Sequence, residues 1–194
     1  MSKYNREAII DKGIELMRKN GYHGTGVQHV LKACGIPKGS FYNFFESKQD
    51  FALQAIEKYG DDNLRMIRAL NDRLDVSALQ KVELFFGDLE KFYRSKKFEL
   101  TCLMSILSLE VGSEDPLIAS KIKSKFDDLK KILATIIKTG QESEEIRTDW
   151  QAANMSDFLI NSFNGALITM KYEKSSRAIR QFKSMCLPLL RLDT

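Results

Sequence analysis

Between Thr25 and Phe45 two short stretches of helical character meet at a Gly-Ile-Pro break, and that break restricts what the chain can become. Val27, Val30, Leu31 and Cys34 recur at i, i+3, i+4 and i+7, the stripe of a short helix running to about Ala33. Gly35 tolerates the tight turn that ends it, and Pro37 has φ preset for a new first turn, so a third helix is expected from Lys38 to about Phe44. Two short helices joined by a Gly-bearing turn, the second starting with polar side chains, form the corner that sets a helix end into the major groove. Such corners also occur in proteins that never touch DNA, so the pattern needs further support.

The flanks supply it. Ile10, Gly13, Ile14 and Met17 predict a first helix over Arg6–Asn20, with Gly21 where a helix end favours positive φ. Thr25 followed by Gln28 has the spacing of a capping box for the second helix. Ser47, with Asp50 three residues on, reads as the N-cap of a longer fourth helix that turns Phe51, Ala55, Ile56 and Tyr59 inward. A first module therefore closes near residue 48, giving domains of 1–48 and 49–194.

Beyond it the periodicity is helical throughout, with breaks near 71–77, 95–99, 111–115, 140–148 and 172–176 and no competing strand signal. Cys102–Leu109 is apolar almost all round, as expected for a short helix packed centrally. Thr148 with Gln151 reads as a second capping box, opening a long helix through Trp150, Phe158, Phe163 and Met170. A last helix is expected over Ser176–Arg191, kinked by Pro188. The expected architecture is all-α with about nine helices.

Composition excludes several classes. The 194 residues are 43% hydrophobic and 29% charged, which suits a folded helical protein and not a disordered one. No charge-free run reaches membrane-spanning length, the N-terminus lacks a secretion signal, and the 3 cysteines are odd in number and widely spaced, so a cytoplasmic protein is expected. The formal charge of +4 is localised: residues 1–48 carry eight Lys/Arg against four Asp/Glu, and the remainder balances. That asymmetry fits a module that meets a polyanion. An enzyme is disfavoured, because both histidines, His23 and His29, fall in the first module, and no GxSxG, HExxH, CxxC or P-loop is present. No cofactor or metal site is expected.

Thr25–Lys48, TGVQHVLKACGIPKGSFYNFFESK, strongly resembles the DNA-binding signature of the TetR family, including Gly35, the KGSFY of Lys38–Tyr42 and the Ser47-Lys48 pair. The all-helical remainder is similar to that family's ligand-binding and dimerising domain. The resemblance implies a homodimeric transcriptional regulator, commonly a repressor, whose recognition helices enter successive major grooves of a palindromic double-stranded DNA operator and which a small-molecule inducer releases. Activation instead of repression, or a ligand-independent adaptor on the same fold, remain open alternatives. The last two helices are the expected dimer surface.

Within that frame, Lys38 can reach guanine O6/N7 or a phosphate, Gly39 lets the backbone approach closely, and Ser40 can bond a base edge. Tyr42, Lys48, Thr25 and Gln28 suit phosphate oxygens. Phe41 and Phe45, four apart, face the core beneath. Where the family pattern has a phosphate-contacting His, this chain has Phe44, which shifts that load to Tyr42 and Asn43. Phe85, Leu89, Phe92, Cys102, Met104, Trp150, Phe158 and Phe163 are ligand-pocket candidates, against the alternative that they are simply core. Cys102, opening an apolar helix, reads either as a thiol sensor of reactive inducers or as a small buried hydrophobe.

Overall fold

The computed structural model of the protein describes residues 5–191, and of Lys38 and Gly39 the backbone only. Among the described residues there are eight α-helices, two short 3-10 helices and no strand. The α-helices are α1 (Arg6–Asn20), α2 (Val27–Cys34), α3 (Lys48–Asn71), α4 (Ala78–Ser95), α5 (Leu103–Glu110), α6 (Pro116–Glu142), α7 (Ala152–Glu173) and α8 (Arg177–Cys186). The 3-10 helices are Lys38–Asn43 and Pro188–Leu190. No described helix is long and apolar enough to cross a membrane.

The chain divides into two compact units. One comprises the chain up to Asp61 with Thr101–Lys125, the other Asp62–Leu100 with the chain from Phe126 onward. Two of the three division points fall inside long helices, α3 and α6, so each of these contributes residues to both units; the third falls between α4 and α5.

The first unit is organised by aromatic packing beneath the 3-10 segment. Phe41, Phe45 and Phe51 are buried, with ring centroids 4.8–5.4 Å apart. Gly13 of α1 lies directly against the Phe51 ring, where any Cβ would collide with it. Ile9, Ile10, Ile14 and Met17 of α1 and Val30 and Leu31 of α2 are likewise buried. Between α3 and α6, the ammonium groups of Lys121 and Lys125 both meet the Glu57 carboxylate, and Lys125 also bonds Asp61 at 2.7 Å. Lys125 is buried, which alone would favour its neutral form, but Asp61 and Glu57 outweigh burial and hold its pKa up.

In the second unit Phe86 packs against Phe163 and Phe182, at 5.1 and 4.9 Å, with Phe85 at 5.0 Å. The α4 N-terminus has a full capping box, Ser77 with Gln80. The kink expected at Pro188 appears as the break between α8 and the final 3-10 turn.

Four local expectations are corrected. The recognition segment is a 3-10 helix and not an α-helix: Ser40 N–H closes on Pro37 and Phe44 N–H on Phe41, both three residues back. Thr25 does not cap α2; the N-cap is Gly26, which has no side chain to bond the first turn, and Thr25 is instead buried. Thr148 does not cap α7, which starts at Ala152. Gln141 ties the loop before it by donating to the carbonyls of Arg147 and Trp150, both at 2.8 Å, and the N-cap position falls to Gln151. Finally, α5 is buried only through Leu103, Met104 and Leu107, while Leu109 is 75% exposed.

Two outcomes test these packings. Phe45→Ala should destabilise the protein by about 3–5 kcal/mol in chemical denaturation, as for other buried aromatics, and a loss under about 1 kcal/mol would contradict the packing. The Glu57 carboxylate is held below its ordinary pKa, first by its bond to Lys121 and then by Lys125. A depressed carboxylate stabilises above its unfolded pKa and loses that contribution as pH falls through its folded value. The stability difference between wild type and Glu57→Gln should therefore be present above about pH 5 and fade below about pH 4. A pH-independent difference in urea midpoints would count against the ion-pair cluster.

Candidate nucleic-acid interface

The geometry of the interface begins with the aromatic trio. Phe41 and Phe45 occupy the inner side of the recognition segment, so the residues between them turn outward. Tyr42 is 68% exposed, Asn43 is exposed and Ser40 is half-buried. Lys38 and Gly39, expected at the start of this segment, have side chains outside the described residues. Phe44 is half-buried, 6.3 Å from Phe45.

At α2, Gly35 takes φ +66° and closes the helix through bonds to the Leu31 and Lys32 carbonyls. At its other end, no side chain caps the first turn, His29 and Val30 bond back to the Gly26 carbonyl, and Gln28 is exposed beside them. An uncapped helix N-terminus presents N–H groups suited to an anion's oxygens. The buried hydroxyl of Thr25 has no hydrogen-bond partner among the described residues.

The Ser47 cap of α3 is present: Ser47 Oγ accepts from Asp50 N–H at 3.0 Å, and the Asp50 carboxylate accepts from Glu46 N–H at 3.0 Å. This fixes the first turn that carries Lys48. The Lys48 ammonium donates to the Tyr22 carbonyl at 2.7 Å and lies 4.2 Å from the centre of the Tyr22 ring. Burial pushes its pKa below the ordinary lysine value, and the charge of Glu110 opposes that push.

Other basic residues counted in the N-terminal excess are committed to structure. Arg18 is buried, donates to the Thr101 carbonyl at 2.7 Å and stacks 5.0 Å over Tyr59. Lys12 pairs with Glu15 at 2.8 Å. Two acidic residues that the sequence did not single out also reach this region. Glu110 accepts from His23 N–H at 3.0 Å, and Asp115 accepts from Gln49 at 2.7 Å. Each links residues more than sixty positions apart, and no local pattern announces such a pair.

The ligand-pocket candidates do not all gather in one place. Cys102 and Met104 are buried in the first unit. In the second, Phe85 and Phe163 are buried in the cluster around Phe86, Leu89 is half-buried, and Phe92, Trp150 and Phe158 are 36%, 42% and 45% exposed. Trp150 is covered on one face by the Arg147 guanidinium at 4.6 Å. Burial pushes the thiols of Cys34 and Cys186 up, opposite to the direction that makes a cysteine reactive. An open groove of about 490 Å³ beside α4 and α8 is lined by charged groups, among them Glu83, Glu90, Arg180 and Lys183.

The chain is similar to known proteins over most of its length. Residues 9–55 match the profile of bacterial regulatory proteins, tetR family, and residues 78–186 match the tetracyclin repressor-like, C-terminal domain. The chain is 29% identical over 177 residues to the HTH-type transcriptional repressor DhaR of Mycobacterium sp. (strain GP1), covering 91% of this chain and 87% of that protein. It is 25% identical over 176 residues to the transcriptional regulator AcuR of Cereibacter sphaeroides, covering 91% and 80%. Among solved structures, a regulatory protein TetR from Rhodobacter sphaeroides superposes with a TM-score of 0.90 at 24% identity, over 95% of this chain and 97% of that one. The reduced form of E. coli NemR gives 0.84 at 19% identity, over 97% and 98%. The helix-turn-helix with its outward Tyr42, the all-helical remainder and these matches converge: the chain belongs to the TetR family of DNA-binding transcriptional regulators.

Proposed function

We propose that the protein is a cytoplasmic homodimeric repressor that holds a palindromic operator through residues 1–48 and is released by a small molecule bound in the helical remainder. The observation that carries the DNA contact is the exposed Tyr42 on a segment whose neighbours Phe41 and Phe45 are buried, beside the uncapped start of α2. Tyr42, Asn43, Gln28 and the α2 amides bind phosphate oxygens, and Lys48 adds charge at the start of α3. Lys38, Gly39 and Ser40 lead into the groove and read bases. Thr25, whose hydroxyl is buried and unpartnered among the described residues, joins these phosphate contacts only where its turn opens.

Repression is supported by the name of the relative DhaR, a repressor that this chain covers over most of its length. Dimerisation through α7 and α8 is supported by large apolar residues left exposed there, including Phe158, Ile168, Tyr172 and Met185. An inducer shifts the population toward a conformer whose recognition segments no longer match successive grooves, with a coupling of about 1–3 kcal/mol. The thiol-reactive version of this reading acts at Cys102, which is only 5% exposed and so has to be uncovered before it reacts.

Tyr42→Ala should weaken binding to specific and random duplexes alike, whereas Lys38→Ala should cost about 1–3 kcal/mol and relax preference at one base position. Gel-shift titrations in which both variants match wild type would remove these roles. Selection of genomic fragments by the purified protein should recover sites with inverted half-sites about one helical turn apart. Recovery of no sequence preference at all would overturn the operator reading.

A further inference from the structure

The turn that launches α2 is held by a carboxylate from outside the helix-turn-helix. Gly21 ends α1 with φ +82°, its N–H bonded to the Met17 carbonyl at 2.8 Å. The Tyr22 carbonyl takes two donors, Thr25 N–H at 3.2 Å and the Lys48 ammonium at 2.7 Å. The next amide, His23 N–H, donates to Glu110 Oε2 at 3.0 Å. The same carboxylate lies in the space that a side chain at position 21 would fill, so the missing Cβ of Gly21 makes room for it. Glu110 is the last residue of α5, and the other end of that segment is fastened to α1: Arg18 donates to the Thr101 carbonyl, and Thr101 N–H bonds Arg18 in return, at 2.7 and 3.4 Å. Just beyond α5, Asp115 caps α6 through Leu117 and Ile118 N–H and takes Gln49 of α3.

We infer that Glu110 is a positioning residue for DNA binding, fixing through His23 and Gly21 the turn from which α2 presents its phosphate-binding amides. This inference rests on the proposed DNA contact and adds a residue that makes no such contact itself. Charge and position predict opposite signs. A carboxylate near a phosphate-binding face repels DNA, so its removal would strengthen binding if charge alone mattered. If Glu110 holds the turn, its removal frees the backbone that orients α2 and weakens specific binding.

The test uses the full-length protein, an operator duplex recovered by wild type, and a random duplex of equal length. Glu110→Ala should bind the operator duplex about tenfold more weakly, the scale of one lost hydrogen bond to a charged acceptor, with random-duplex affinity unchanged or higher. Glu110→Gln, which keeps an acceptor oxygen for His23 N–H, should stay within about threefold of wild type. In the DNA-free protein, amide exchange at His23 should quicken in the Ala variant and not in the Gln variant. Operator binding by Glu110→Ala at or above wild-type affinity overturns the inference. So does equal weakening by both variants, because Glu110→Gln keeps the acceptor oxygen through which Glu110 is inferred to act. If wild type binds no duplex, the DNA-binding reading has failed, and the inference falls with it; unchanged His23 exchange in Glu110→Ala shows separately that the clasp itself is absent.

Discussion

The mutual packing of Phe41, Phe45 and Phe51, with the Phe51 ring set against Gly13, is the constraint on which the rest of the DNA-binding unit depends. A six-residue 3-10 segment has poor hydrogen-bond geometry and no length to stabilise itself. Its orientation must come from side chains buried beneath it. Each of the three rings removes well over a hundred Å² of apolar surface from water, roughly 2–3 kcal/mol apiece before ordering costs are counted. With Phe41 buried within the segment and Phe45 buried just beyond its end, the direction of Tyr42 follows, and so does the direction of Asn43. The Phe51 ring fits only because α1 has no side chain at position 13. One small residue on α1 therefore sets how α3 sits against the recognition segment.

Electrostatics modify that picture. The N-terminal module's formal excess of four positive charges overstates what meets DNA, because Arg18 is buried against the Thr101 carbonyl and the Tyr59 ring. What remains is more directional. The partial positive charge of the α2 N-terminus lies uncapped, and Lys48 is held in place by the Tyr22 carbonyl and ring. A lysine ordered before DNA arrives loses less side-chain entropy on binding than a free surface lysine would. Its partial burial trades some stability of the charged form for that order.

Much of this was legible in the residues, and the limits have physical causes. The 3.6-residue stripes located α1 and α2, the Ser47–Asp50 spacing located the start of α3, and the Phe41–Phe45 spacing gave the inner face of the recognition segment. The capping boxes at Thr25 and Thr148 failed because a four-residue pattern carries no information about what else competes for its groups. Tertiary burial took Thr25, and Gln141 took the loop around Thr148. The 3-10 form was illegible for a similar reason, since i+3 and i+4 closure share the same apolar residues over six positions. Glu110 and Asp115 could not be found at all, because their partners lie 87 and 66 residues away.

The same reasoning bears on the second unit, where aromatic residues alone did not specify a cavity. Phe86, Phe163 and Phe182 fill the space between their helices with centroids 4.9–5.3 Å apart, so their side chains are already satisfied by one another. A ligand entering between these rings has to separate them, and because they sit on α4, α7 and α8, separating them moves whole helices. Packed interfaces of this kind shift between discrete arrangements and do not deform smoothly. If the proposed small-molecule release acts at this cluster, the ligand that enters it has to repack the helices that carry the rings.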